Sequence, residues 1–434
     1  MRKIPFGPDE IISAALSAAA NENVCILDSC GVRNLGSHLL IVGFDPVETI
    51  VFRGDAENTI DAIESKLEQT GLAGIFTLSY ELGAKLNSNR PAERHGDREP
   101  LAFLALFKTL VVHDYDTGET FISGEYSADL EARIKRSSRL TASDSQAASV
   151  TSNFTKREYL AAIELIKEAI RRGDNYQTNL TQQLTVDLGS ELTPEVIFSR
   201  VRRDHPAPFS AFIKRGDSTV VSASPERFLS IRGNEMSASP IKGTRRRGNF
   251  REEDVRLRNE LLQSQKDRAE NTMIVDLLRN DIGRICEFGS VSVERLCDLE
   301  VHPTLFHLVS TIRGTFRKGI GFGEIIRATF PCGSITGAPK IRTMEIIDQI
   351  EPDARGLSMG AIGICIPNEN FDGIEPGLDM SVAIRTMVIR DHTAVFNVGG
   401  GIVIDSDAEM EYAESLLKAK ALLSALGIHD PRLS

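Results

Sequence analysis

Pro240-Ile241-Lys242-Gly243-Thr244-Arg245-Arg246-Arg247-Gly248 sets one lysine between an apolar residue and a glycine, just ahead of three arginines. An amine attacks carbon only when unprotonated, and a free lysine has a pKa of about 10.4. Neighbouring cations and an apolar pocket both disfavour the charged form and push that value down. The stretch therefore predicts a nucleophilic Lys242. By itself it reads better as a solvated basic turn, the commoner fate of such runs.

Five further stretches lie downstream: Lys266-Asp267-Arg268-Ala269-Glu270-Asn271, Gly333-Ser334-Ile335-Thr336-Gly337-Ala338-Pro339-Lys340, Ala383-Ile384-Arg385-Thr386, Gly399-Gly400-Gly401 and Glu411-Tyr412-Ala413-Glu414. In this order and spacing, from about Thr155 to about Leu426, the chain resembles the chorismate-using enzymes. That family includes anthranilate synthase large subunits, aminodeoxychorismate synthases, isochorismate synthases and salicylate synthases. The lysine at the third position of Pro-Ile-Lys-Gly-Thr is similar to the aminodeoxychorismate synthase branch; anthranilate synthases usually carry alanine there. The resemblance implies an α/β (α+β) fold in which two orthogonal β-sheets form a sandwich with helices outside and a site in a cleft. It divides the chain into an N-terminal α/β subdomain at 1–136, a linker at 137–153 and a chorismate-binding catalytic domain at 154–430. Periodicity alone predicts only an α/β chain with a mixed sheet.

Composition narrows the class. The 434 residues are 41% hydrophobic and 26% charged, as in a globular protein. No apolar run reaches the roughly 18 residues of a membrane span, and the alanine-rich N-terminal stretch shows no signal-peptide pattern. Cys25, Cys30, Cys286, Cys297, Cys332 and Cys365 are scattered without a Cys-x-x-Cys pair. That predicts reduced thiols in a cytoplasm and argues against a disulfide framework or zinc ribbon. A net charge of −11 argues against general nucleic-acid binding. An anion would need local cations, a metal or backbone amides.

Along the chain, strands are predicted at 24–27, 39–44, 73–78 and 102–112, and helices near 10–20 and 56–69. Residues 86–100 read as a polar loop, and the Ser/Ala/Thr-rich 137–153 as a linker. Thr155-x-x-Glu158 is a capping box opening a helix with a stripe of Leu160, Ile163, Ile166 and Ile170, stopped by Gly173. Further strands are predicted at 209–213, 219–221, 309–314, 361–366, 381–389 and 394–398. Residues 252–284 read as helix broken near Gln265, Pro339 as the first turn of a helix to Ile350, and Ser406-x-x-Glu409 as the capping box of a C-terminal helix.

Chorismate carries two carboxylates and a poor hydroxyl leaving group. Glu411 and Glu414 share one helix face at i, i+3, and Asp267 and Glu270 repeat the spacing. Most such pairs are solvated faces. The resemblance instead assigns Glu270, Glu411 and Glu414 to a Mg²⁺, an ion that prefers oxygen ligands, with Asp267 acting through water. Arg385, flanked by Ala383, Ile384 and Met387, is predicted to be buried and to need an anionic partner. By resemblance that partner is the enolpyruvyl carboxylate. Gly399–Gly401 would present bare amides to a ligand. It is no dinucleotide fingerprint, and Gly333–Lys340 fails the phosphate-loop rule. Gly400, Gly401, Thr244, Ser334 and Lys418 join the implied substrate-binding set. His307, in an apolar segment, is commonly a core residue; the resemblance gives it a catalytic role.

Glu226, in Ser224-Pro225-Glu226-Arg227, corresponds by resemblance to a general acid at C4, a task that needs a raised pKa; alone it reads as a salt bridge to Arg227. Gln177 stands where salicylate and isochorismate synthases place a water-activating lysine, which argues for ammonia as the nucleophile. Ile364 replaces a frequent aromatic and is expected to reshape the pocket wall. The expected activity is amination of chorismate at C4. With no amidotransferase half recognisable and Cys332 outside any nucleophile elbow, ammonia is expected from a separate glutamine amidotransferase subunit. The alternatives are anthranilate synthesis by amination at C2, opposed by Lys242; isochorismate or salicylate synthesis, opposed by Gln177; a non-catalytic chorismate-binding or regulatory subunit; and a Schiff-base enzyme using pyridoxal phosphate.

Overall fold

Ala102–Phe107 shows how this sequence builds a sandwich. All six residues are buried, yet they serve two cores. Ala102, Leu104 and Leu106 pack under one set of helices, while Phe103, Ala105 and Phe107 fill the space between two sheets. A strand with period two and both faces apolar belongs in the middle of a layered structure. The computed structural model describes residues 1–32, 38–87, 98–137, 145–301 and 305–429.

Among these residues, one antiparallel sheet has twelve strands and the other ten. Helices cover the outer face of each. Pro8–Ala18, Pro194–Asp204 and Ala408–Ala425 pack on the larger sheet, and Ala56–Thr70 and Gln265–Gly283 on the smaller. Strands from both ends of the chain share the sheets: Cys25–Asp28 pairs with Phe209–Arg215, and Ala73–Leu78 with Ala361–Ile366.

Two runs predicted as single strands change sheets partway. Residues 102–112 divide at Lys108: Ala102–Phe107 joins the smaller sheet and Thr109–Asp114 the larger. Residues 381–389 divide likewise into Gly377–Val382 and Thr386–Arg390, with Arg385 at φ 49° between them. A run apolar at every position carries no mark of where it turns from one layer to the next.

Thr155 caps Lys156–Arg171 through both halves of the predicted box. The stripe centres on Tyr159, Ala162, Ile163, Ile166 and Ala169, with Leu160 and Ile170 at its margins. The long helix breaks at Ser264, which ends Arg251–Gln263 and caps Gln265–Gly283 through the Asp267 amide. Three readings change. Tyr80–Asn87 is helical, so the predicted loop 86–100 begins inside a helix; 88–97 lie outside the described residues. Within the predicted linker, Ser149–Ser152 is a strand paired with Gln177–Asp187, and 138–144 are not described. The C-terminal helix is capped by Asp407, not Ser406.

Candidate active site

The strand Ile241–Arg246 pairs with Leu305–Thr315, but not regularly. Ile241 faces Val309 and Thr244 faces His307, so Lys242 and Gly243 form a bulge. A bulge re-aims the side chains it carries. Gly243 has φ +83°, and a Cβ on it would stand 2.9 Å from the Asp267 Cβ and 3.0 Å from Leu261. Only glycine allows helix Gln265–Gly283 so close. Lys242, half-buried, directs its Nζ toward the Ser334 carbonyl at 3.5 Å.

Each of the three arginines that follow Lys242 has an acid of its own, and the other cations that act on the same carboxylates as Lys242 are Lys266 and Lys418. Arg245 binds Glu260 and Asp267 at 2.9 and 3.2 Å, Arg246 binds Glu253, and Arg247 binds Asp254 at 2.8 Å. The groups whose titration feels the Lys242 charge are instead Glu226, Glu270 and Glu414. The pairing also engages the Asp267 carboxylate with Arg245.

Glu226 and Arg385 occupy two adjacent places where the chain leaves one sheet for the other. The Val382 amide donates to the Glu226 carbonyl at 3.1 Å, and the Ala223 amide to the Arg385 carbonyl at 3.0 Å. Burial raises the Glu226 pKa, against the lowering influence of Lys242, the Ser334 hydroxyl and the Ile241 amide. Its Oε1 has no hydrogen-bond partner among the described residues. Arg227 is bound to Asp379 by two hydrogen bonds of 3.0 and 2.9 Å rather than to Glu226. Burial pushes Arg385 down from the ordinary arginine value. Its guanidinium has no hydrogen bond or ion pair among the described residues. A half-buried cation of this kind suits a ligand carboxylate.

Around these groups stand the other predicted residues. The buried His307 ring shares a 2.8 Å hydrogen bond between Nδ1 and the Thr244 hydroxyl, which fixes its orientation. Buried Ser334 lies in the short 3₁₀ turn Gly333–Ile335, its Oγ 3.3 Å from the Cys332 Sγ. Burial raises that thiol to about 12, far from a working nucleophile. A Cβ on Gly400 would lie 3.3 Å from the Lys418 Nζ and 3.4 Å from Glu411 Oε2, and one on Gly401 would strike the Gln177 amide at 2.1 Å. Gln177 is fully buried, and neither polar atom of its amide has a partner among the described residues. Ile364 lines a cavity between the sheets with Leu27, Ile41 and Phe209.

The carboxylates meet around a lysine. Lys266 Nζ lies 3.3 Å from Glu411 Oε1 and 3.9 Å from Glu270 Oε1. Burial raises Glu270, helped by the charges of Asp267 and Glu411. Burial also acts to raise Glu414, but Lys418 at 2.8 Å, with Lys266 and Lys242, brings it below its ordinary value. Lys418 also donates to the Gly399 carbonyl at 2.9 Å. Among the described residues no three acids already stand at metal-binding distance. Carboxylate oxygens gathered about one cation are nevertheless a donor set suited to a hard divalent ion. Sequence reasoning missed two participants. Lys266 could be found from its i, i+4 spacing to Glu270. Ser406, read as a helix cap, instead donates its hydroxyl to Glu411 Oε1 at 2.7 Å.

Residues 23–424 match the family of chorismate binding enzymes. The chain is 30% identical to aminodeoxychorismate synthase component 1 of Bacillus subtilis, over 99% of this chain and 97% of that one. It is 38% identical to the Klebsiella aerogenes protein of the same name, over 82% and 77%. Anthranilate synthase component I of Streptococcus pneumoniae superposes with a TM-score of 0.75 at 25% identity, over 90% of this chain and 93% of that one. With the match spanning both sheets and the cleft, the chain belongs to the chorismate binding enzymes and is a chorismate-utilising enzyme.

Proposed function

We propose that this chain adds ammonia to C4 of chorismate, giving 4-amino-4-deoxychorismate with the enolpyruvyl group retained. The observation that carries the reading is Lys242 on its bulge with its Nζ at the Ser334 carbonyl, near enough for its charge to act on the buried carboxyl of Glu226. In this reading the neutral Lys242 amine attacks C2, both conjugated ring double bonds shift round the ring away from C2, and the 4-hydroxyl leaves as water with the Glu226 proton. Ammonia then bonds to C4, and both double bonds return to their original places as the C2–nitrogen bond to Lys242 breaks. Lys242 departs as an amine, and the Glu226 carboxylate takes the proton released by the new ammonium group. Splitting the displacement in two fixes where nitrogen ends. Arg385 suits the enolpyruvyl carboxylate, and His307, held by Thr244, a substrate oxygen. Ser334, the Gly401 amide, the side-chain-free backbone at Gly400 and Lys418 complete the substrate seat. Glu270, Glu411 and Glu414 would hold Mg²⁺, with Asp267 more distant, and Lys266 giving way; the ion would supply charge neutralisation at the ring carboxylate.

Ammonia is proposed to come from a separate glutamine amidotransferase, in keeping with the "component 1" in the names of the Bacillus and Klebsiella relatives. A cytoplasmic setting is supported by free cysteines throughout the described residues; no helix among them is long and apolar enough to cross a membrane. Anthranilate synthesis is the second reading, favoured by the structural likeness to the Streptococcus enzyme. Incubating the chain with chorismate, Mg²⁺ and ammonium and identifying the product by mass and chromatography separates the two. Anthranilate and pyruvate in place of the 4-amino product would defeat the C4 assignment.

A further inference from the structure

Lys266 stands in the first turn of helix Gln265–Gly283. The helix dipole disfavours a cation at that end, so helix formation gives no reason for a lysine there. Its ammonium turns across to the C-terminal helix, 3.3 Å from Glu411 Oε1, and lies 3.9 Å from Glu270 Oε1 one turn along its own helix. It makes no other hydrogen bond or ion pair among the described residues. The side chains of Glu411 and Glu270 are only 6% and 16% exposed, while that of Lys266 is 55% exposed. Lys418, the other lysine beside these acids, is fixed differently. It binds Glu414 at 2.8 Å and is also anchored to the backbone, at the Gly399 carbonyl, at 2.9 Å. Lys266 has no backbone anchor among the described residues. Two buried carboxylates left without a cation repel each other and are poorly solvated. An ammonium on the rim offsets this with one charge, and a pair with one exposed partner is weak and easily parted. A divalent ion brings two charges and binds oxygen closely.

We propose that Lys266 is a tethered competitor of the divalent ion: its ammonium holds Glu270 and Glu411 in the metal-free chain, and its displacement sets the metal concentration at which the site fills. Lys266 acts through the carboxylates and is a positioning residue. Its role rests on the assignment of Glu270, Glu411 and Glu414 to Mg²⁺, and the two can fail separately. It does not depend on which carbon of chorismate is aminated.

Titration calorimetry with Mg²⁺ and thermal melts test it, on the full chain stripped with EDTA and dialysed. Lys266→Met should bind Mg²⁺ more tightly than the unaltered chain by about threefold or more. Mg²⁺ should also raise the melting temperature of this variant further than that of the unaltered chain. Lys266→Arg keeps a cation in place and should bind Mg²⁺ as the unaltered chain does. Lys318 is an exposed lysine just past the opposite end of the same helix, where the Arg317 amide donates to the Ile285 carbonyl at 3.1 Å. Lys318→Met controls for net charge and should leave the affinity as it was. Equal Mg²⁺ affinity in Lys266→Met and the unaltered chain overturns the competitor while the metal assignment stands. Equal tightening in Lys318→Met or Lys266→Arg does the same. No Mg²⁺ binding by either the unaltered chain or Lys266→Met defeats the metal assignment, and the competitor with it. If Lys266→Met does not fold, Lys266→Gln decides by the same comparison.

Discussion

At the scale of single residues, Glu226 combines a stability cost with a chemical role. Burial holds its carboxyl above the ordinary carboxylate range. The folded chain therefore keeps a proton that the unfolded chain releases near pH 4.3 or so. Stability must fall as pH rises from there through the higher folded value, and the loss persists above it. Glu226→Gln should remove this pH-dependent loss and melt higher than the unaltered chain at neutral pH, while amination at C4 falls by about 10²–10⁴-fold. Melting curves across pH and product analysis check both halves. A variant as active as the original would show that Glu226 is no general acid. Lys242→Ala tests the other partner. Loss of the 4-amino product is expected, and mass spectrometry of the trapped unaltered enzyme should find chorismate-derived mass on the peptide containing Lys242. Undiminished C4 amination by the alanine variant rules out the two-displacement route.

At the scale of elements, the lysine is placed by its strand and the helix behind it. Gly243 has both a left-handed φ and helix Gln265–Gly283 against it. Gly243→Ala should destabilise the fold by about 1–3 kcal/mol and lower turnover further by displacing Lys242. Denaturant melts give the first quantity and steady-state rates the second; a neutral effect on both would mean that the bulge relaxes without consequence. Two capping boxes read alike in sequence but differ in structure. Thr155-x-x-Glu158 caps its helix. Ser406-x-x-Glu409 does not, because Asp407 takes the cap and frees the Ser406 hydroxyl for Glu411. A box motif records which local bonds are available, and tertiary packing selects among them.

At the scale of the molecule, acids from helices more than a hundred positions apart share one lysine, an arrangement that a divalent ion could take over. Chelation with EDTA should abolish turnover while leaving the melting transition of the fold in place, and added Mg²⁺ should restore activity. Full activity in a metal-free preparation would refute the assignment of Glu270, Glu411 and Glu414. Ammonia supply is tested at the same scale. The chain alone should use ammonium salts, better at high pH where more free NH₃ is present, and glutamine only once an amidotransferase partner is added. Glutamine-dependent turnover by the chain alone would contradict this, and the buried Cys332 makes it an unexpected result.

Local sequence determined much of this protein. The Thr155 box, the break near Gln265 and the span of Ala73–Leu78 follow from capping chemistry and period, because each is decided by neighbours within a few positions. The motifs around Lys242, Glu270, Arg385 and Glu411 likewise point to chorismate chemistry before any coordinates. What tertiary structure alone decided are the relations between distant segments. The switches at Lys108 and Arg385 were hidden because strands buried on both faces look the same in either sheet. The setting of Lys242 is not legible along the chain, because its neighbours in sequence are arginines while the groups that feel its charge are carboxylates from distant segments. Coulombic and burial effects act through space. The three arginines turn to acids on the adjoining helices, and no reading along the chain could weigh those acids against the lysine.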